Sequence, residues 1–195
     1  GAQTDTVVML SAGNLSVSNV ETVQGTTATS DAVRLLGAGS VAVSAVESVV
    51  GTTATGEVAQ MLVAGALSVS AIETVVGSGG ADVVSILAEG GVAVSDVEQV
   101  VGTVDGGNWV RMLGSGSTAV SVSSIDTVIG GAQTDTVVML STGQISVSNV
   151  ETVQGTTDTT DAVRLFGAGT VVVSAVESVI GTTARNSPSS SRCSP

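Results

Sequence analysis

The chain repeats itself about every 26 residues, and this period constrains its fold more than any single motif does. The marker Val-Glu-x-Val-x-Gly and its close variants place a glutamate at Glu21, Glu47, Glu73, Glu98, Glu151 and Glu177, with Asp126 in the fifth repeat. The closing glycines are Gly25, Gly51, Gly77, Gly102, Gly130, Gly155 and Gly181, separated by 26, 26, 25, 28, 25 and 26 residues. A polar position opens each repeat, at Asp5, Asp31, Glu57, Asp82, Asn108, Asp135 and Asp161, and a glycine follows eight residues later. Gly131 to Gly155 reproduces Gly1 to Gly25 except at Thr142, Gln144 and Ile145.

Each repeat holds three short stretches of period-two alternation and no run of helix formers. In the first stretch, Val7, Val33, Ala59, Val84, Val110, Val137 and Val163 share a face with Met9, Leu35, Met61, Ile86, Met112, Met139 and Leu165. The position between them holds Val8, Arg34, Gln60, Ser85, Arg111, Val138 and Arg164, tolerates charge and has to face outward. Next comes a column of Leu10, Leu36, Leu62, Leu87, Leu113, Leu140 and Phe166. Identity matches between repeats and the lack of hairpin signals such as Asn-Gly oppose an antiparallel sandwich. The pattern predicts an all-β, right-handed parallel β-solenoid, β-helix-like or β-roll-like, of seven coils of about 26 residues with roughly three faces. A roll with two strands per turn is the alternative. Equivalent residues are then expected to stack at about 4.8 Å, each valine, leucine or methionine column forming an internal ladder in a rod of roughly 34 Å. The inward columns are led by Val7, Met9, Val17, Val20 and Val23. The two-residue excess of the fifth repeat falls near Gly114-Ser115-Gly116-Ser117-Thr118, between strands.

Residues 1–183 form the solenoid domain in this reading, and 184–195 a flexible polar tail that carries two of the five arginines, both prolines and the single cysteine, Cys193. Five Arg, no Lys and 17 carboxylates give a formal charge of −12, which excludes nucleic acid and anionic membranes as partners that depend on basic contacts. No uninterrupted apolar stretch suits membrane insertion. With no His and no Lys, the usual nucleophile and base arrangements cannot be built, so no catalytic or cofactor-binding residue is assigned. A carbohydrate-active β-helix using two carboxylates is the one enzymatic alternative. Acidic residues that recur in almost every repeat read instead as a structural device.

Thirteen of the 17 carboxylates fall in two columns. Like charges stacked about 5 Å apart repel unless compensated. Three explanations stand: hydrogen bonds accepted at a turn, Ca²⁺ held between coils, and simple solvation. The recurring Val-Glu-x-Val-x-Gly, the Gly/Thr-rich turn that follows and Asp-x-Val resemble the repeat-in-toxin (RTX) class of bacterial secreted proteins and the degenerate repeats of related surface proteins. Gly77-Ser78-Gly79-Gly80-Ala81-Asp82-Val83-Val84 comes nearest to that family's calcium loop. The resemblance implies a secreted or cell-surface protein and Ca²⁺ at Asp82. The period of 26 departs from the family's period of about 18, and most loops carry one carboxylate where Ca²⁺ wants six to eight oxygens.

The expected function is a structural or interaction module: a rigid spacer, fibre segment or scaffold subunit. Ice binding is an alternative through Thr26-Thr27, Thr52-Thr53 and Thr156-Thr157, and a calcium-stabilised RTX-like segment is another. Both ends stop at full repeat quality without capping segments, so self-association end to end, or a place in a larger protein assembly, is expected. Trp109 reads as a contact site or as a tolerated outward residue.

Overall fold

The computed structural model describes residues 4–114, 118–167 and 169–182. The first repeat gives β1 (Thr6–Val8), β2 (Asn14–Val17) and β3 (Thr22–Gln24), and the second β4 (Ala32–Leu35), β5 (Ser40–Ser44) and β6 (Ser48–Val50). The third gives β7 (Val58–Met61), β8 (Ala66–Ser70) and β9 (Thr74–Val76), and the fourth β10 (Val83–Ile86), β11 (Gly91–Ser95) and β12 (Gln99–Val101). The fifth gives β13 (Trp109–Met112), β14 (Thr118–Ser123) and β15 (Thr127–Ile129), and the sixth β16 (Asp135–Met139), β17 (Gln144–Ser148) and β18 (Thr152–Gln154). The seventh ends with β19 (Ala162–Leu165), β20 (Val172–Ser174) and β21 (Ser178–Ile180).

All strand pairs are parallel, and the chain is a β-solenoid. Odd-numbered strands form one sheet of 11 and even-numbered strands a second sheet of 10. We call these the odd and even sheets. One turn therefore uses two strands, and the solenoid has two faces. This corrects the expectation of seven coils and three faces, because a repeat of three strands spans one and a half turns. Pairing steps of 16, 20 and 18 residues replace a 26-residue coil. The rod has about ten turns and a length of about 48 Å rather than 34 Å.

An odd number of strands per repeat on a two-faced rod puts successive repeats on opposite sides. Repeat two is thus related to repeat one by a half-rotation and a rise of about 7 Å, one and a half strand spacings. Equivalent columns do not stack on each other. The ladder from Val23 runs to Val43 and then Met61, taking residues from three different columns. The register also slips by two residues every three turns: Thr6 leads through Thr22 and Ala42 to Gln60, two past its repeat equivalent Val58. A two-residue slip is one full side-chain period, so inward residues stay inward.

The interior is a single core of small apolar side chains, with Val33, Val49, Val75, Val84 and Val128 fully enclosed. Its inward faces are those the alternation marks, and Arg34 lies exposed between buried Val33 and Leu35. Val7, Met9 and Val20 of the first repeat are only partly covered, whereas their counterparts deeper in the rod are buried. The column from Leu10 to Phe166 is not an internal ladder. All seven side chains are 44–95% exposed, because each follows an inward Met, Leu or Ile and so points the other way at the corner. The excess of the fifth repeat falls on residues 115–117, outside the described residues. Its flank, β14, is six residues long. The tail from residue 184 also lies outside them.

Candidate functional site

The arrangement that recurs most faithfully lies along the two narrow edges of the rod, where strands begin. Each edge repeats a three-turn unit of glycine, opening acid and marker acid. Gly13 N–H donates to Asp31 Oδ1 at 3.1 Å, and Asp31 N–H donates to Glu47 Oε2 at 2.7 Å. Gly65, Asp82 and Glu98 repeat this at 3.0 and 2.7 Å, and Gly143, Asp161 and Glu177 at 3.1 and 2.8 Å. The amide of the opening residue is bonded to the marker acid in all seven repeats, at 2.7–2.9 Å.

The second oxygen of the opening acid ties its own turn. Asp31 Oδ2 accepts from Thr26 N–H at 2.6 Å and from Thr26 Oγ at 2.7 Å. Asp161 and Thr156 repeat these distances. Asp82 uses Ser78 in the same role, and Asp135 uses the Gly131 amide at 2.5 Å with Thr118 Oγ on its other oxygen. Thr26 Oγ and Thr52 Oγ in turn accept from the amides of Ala28 and Ala54. The opening acids Asp31, Asp82, Asp135 and Asp161 are buried, which is tolerable because donors meet both oxygens of each; Glu57 and Asn108 are buried at the equivalent positions.

These donors set the acidity. The Thr26 hydroxyl, then the Thr26 amide, hold the Asp31 carboxyl below its ordinary range, against a smaller opposing effect of burial. The Thr156 hydroxyl does the same for Asp161, and the Thr52 hydroxyl for Glu57. Half-turn alternation also separates the acids of one column, although each opening acid keeps a marker acid one turn away, bonded to its own amide. Asp31 and Asp82 lie on one edge three turns apart, about 14 Å, while Glu57 lies on the other.

Two repeats depart from this scheme. Glu57 has one methylene more than aspartate; Thr52 Oγ and N–H serve its Oε1, and its Oε2 is buried without a partner. Asn108 turns donor, giving Nδ2 hydrogens to Thr103 O, Thr103 Oγ and Ser124 O, and its Oδ1 is left unpaired.

Asp82 is thus held inside the edge by Gly65 and Ser78. This donor set does not fit Ca²⁺: both carboxylate oxygens face N–H and O–H hydrogens, and an ion would have to displace them. Among the described residues, no three of His, Cys, Asp and Glu gather into a group able to hold a metal. The chain matches no family model, no curated protein and no solved structure.

The clefts follow the repeat as well. Five of them, of 100–350 Å³, lie between a marker turn and the glycine turn of the next repeat, as with Val43–Glu47 against Val63–Leu67. The threonine pairs do not share one row: Thr26-Thr27 follows β3 on one edge, whereas Thr52-Thr53 and Thr156-Thr157 follow β6 and β18 on the other. Trp109 is 39% exposed on the outer side of the odd sheet and lies over Gly91 of the neighbouring strand, where a Cβ would stand 2.0 Å from its ring.

Sequence reasoning missed two features. The residue two before each marker acid, from Asn19 through Ala45, Ala71, Asp96, Ser124 and Asn149 to Ala175, has φ of 50–54°. This left-handed residue makes the tight return between the second and third strands of a repeat. The two Asn and one Asp in that column were the available signal. The second feature is the purpose of the closing glycine, described below.

Proposed function

We propose that this chain is a structural module, a rigid spacer or scaffold rod within a secreted or cell-surface assembly. The observation that carries the reading is the use made of the acidic columns: seven of seven opening amides are tied to a marker acid. A set of side chains spent in this way stiffens a rod along its whole length. A lineage related to the RTX repeats is supported by the turn, since pairing steps of 16–20 residues bracket that family's period of about 18. The calcium dependence of that family is not carried over, given the donors around Asp82. Among the described residues, β1, β2, β20 and β21 each pair on one side only, and Val172, Val179 and Ile180 are exposed, which supports end-to-end contact with another copy or another protein.

A spacer tolerates changes in length. Deleting Thr26–Gly77, two whole repeats and three whole turns, should leave a cooperatively folding rod shorter by about 14 Å in small-angle scattering. Loss of folding would count against a modular spacer. Excess chelator should leave the thermal midpoint of the full chain unchanged; a shift of more than about 10 °C on adding Ca²⁺ would restore the calcium-stabilised reading.

A further inference from the structure

The 17 carboxylates are distributed in a way that the fold does not require. Sixteen lie in the turns, and the one inside a strand, Asp135, is buried. No outward strand position on either sheet carries Asp or Glu. The rod has acidic edges and two broad faces almost without charge. The half-turn relation between repeats would make the two faces alike, yet they differ. The odd sheet bears Trp109, Arg111 and Arg164, the last stacked 5.1 Å from the Phe166 ring. The even sheet bears Arg34 as its one outward charge, with Gln99 and Gln154 among otherwise smaller outward residues and with exposed Leu36, Leu87 and Leu140 at the ends of β4, β10 and β16. Its central ladder passes from Ser48 to Ser68, Ser85, Val101 and Ser123.

We propose that the outer face of the even sheet docks against the same face of a second copy of this chain, forming a two-fold dimer. Ten strands spaced by about 4.8 Å, each with two outward residues, give a face of roughly 600 Å² per copy. Two such faces bury about 1,200 Å² in total, the low end of specific interfaces, so the dimer is weak and concentration-dependent. The outward residues are mostly Ser, Val, Thr and Ala, with Gln99 and Gln154 as uncharged longer side chains, a surface that suits ordinary sheet-on-sheet packing. With Arg34 as its only outward charge, this face largely lacks the device by which sheets normally avoid such contact. A strongly charged partner finds no counterpart on this face beyond Arg34. With the dyad near β10 and β12, Arg34 of β4 comes opposite β18, whose outward Thr152 and Gln154 are uncharged. The acidic edges lie beside each other at the rim, where water and salt screen them. The odd face is kept from the same contact by the bulk of Trp109 and by the charges of Arg111 and Arg164.

This contact is independent of end-to-end continuation, and one experiment separates the two. Sedimentation velocity of the full chain over a hundredfold concentration range should show a monomer passing to a dimer. Ser85→Glu, at the centre of the even face, should hold the chain monomeric with an unchanged circular dichroism spectrum, whereas Ala93→Glu on the odd face should still dimerise. Gln99→Lys gives a second variant on the even face if Ser85→Glu does not fold. Mixing Ser85→Glu with Ser85→Lys should restore the dimer. A wild-type chain that stays monomeric throughout overturns the proposal. So does association that survives both even-face variants, which would place the contact at the ends, or association lost only in Ala93→Glu.

Discussion

A methyl group added at Gly51 would stand 1.8 Å from the carbonyl oxygen of Ala71, the left-handed residue one turn further on. The same clash, at 1.7–2.1 Å, meets Gly25, Gly77, Gly102, Gly130 and Gly155, and it explains why the marker closes on glycine: the backbone of the next turn occupies the space of its side chain. Gly51→Ala should cost about 3 kcal/mol in chemical denaturation, while Gly37→Ala, where a Cβ meets nothing within 4 Å, should stay within about 0.5 kcal/mol of wild type. Ala71 itself holds φ at 52°, which alanine resists, so Ala71→Asn should raise stability by about 0.5–1 kcal/mol. The edge acids fix the response to pH. Asp31 and Asp161 have carboxyls lowered on folding, so they favour the folded chain above the unfolded value of about 3.9. That contribution is lost as pH falls through the lower folded values. The thermal midpoint should therefore drop steeply below about pH 4, and Asp161→Asn should flatten that drop.

At the scale of the strand, neighbouring leucines separate what the alternation conveys from what it hides. Leu67 in β8 is buried and Leu36 after β4 is 61% exposed, although both belong to apolar runs. Leu67→Ala should destabilise by about 2–4 kcal/mol, Val84→Ala by about 1–3 kcal/mol, and Leu36→Ala or Arg34→Ala by less than about 0.5 kcal/mol, read as shifts in denaturation midpoint. The inward faces were legible in the sequence because a two-residue period allows only two sides, and an arginine between Val33 and Leu35 identifies the outer one. The turn-tying role of the acids was among the readings their spacing allowed, since an Asp five residues after a Thr is within reach of a local cap. Their bonds to adjacent turns were not legible, because Gly13, Asp31 and Glu47 come together only once the length of a turn is known. That length is what the sequence obscured: three alternating stretches in 26 residues fit a three-faced coil as well as one and a half turns of a two-faced one, and local pattern does not say which strand lies over which.

For the whole molecule, everything depends on this count. A rod of ten two-stranded turns has a half-turn relation between repeats, two equivalent acidic edges, and two faces that differ only through a handful of outward side chains. Seven three-faced coils would put all opening acids in one row and every repeat on the same side. The two arrangements assign different neighbours to Ser16. In the two-sheet rod it pairs with Arg34, on the adjacent strand of the even sheet, while Ala42 lies on the opposite sheet. In a 26-residue coil its neighbour would be Ala42. Paired cysteines decide between them, because a disulfide needs Cα atoms within about 7 Å, a distance met by adjacent strands and not by opposite faces. In a Cys193→Ser background, Ser16→Cys with Arg34→Cys should crosslink rapidly on mild oxidation, and Ser16→Cys with Ala42→Cys should not. Rapid crosslinking of the second pair with none of the first would contradict the two-sheet solenoid.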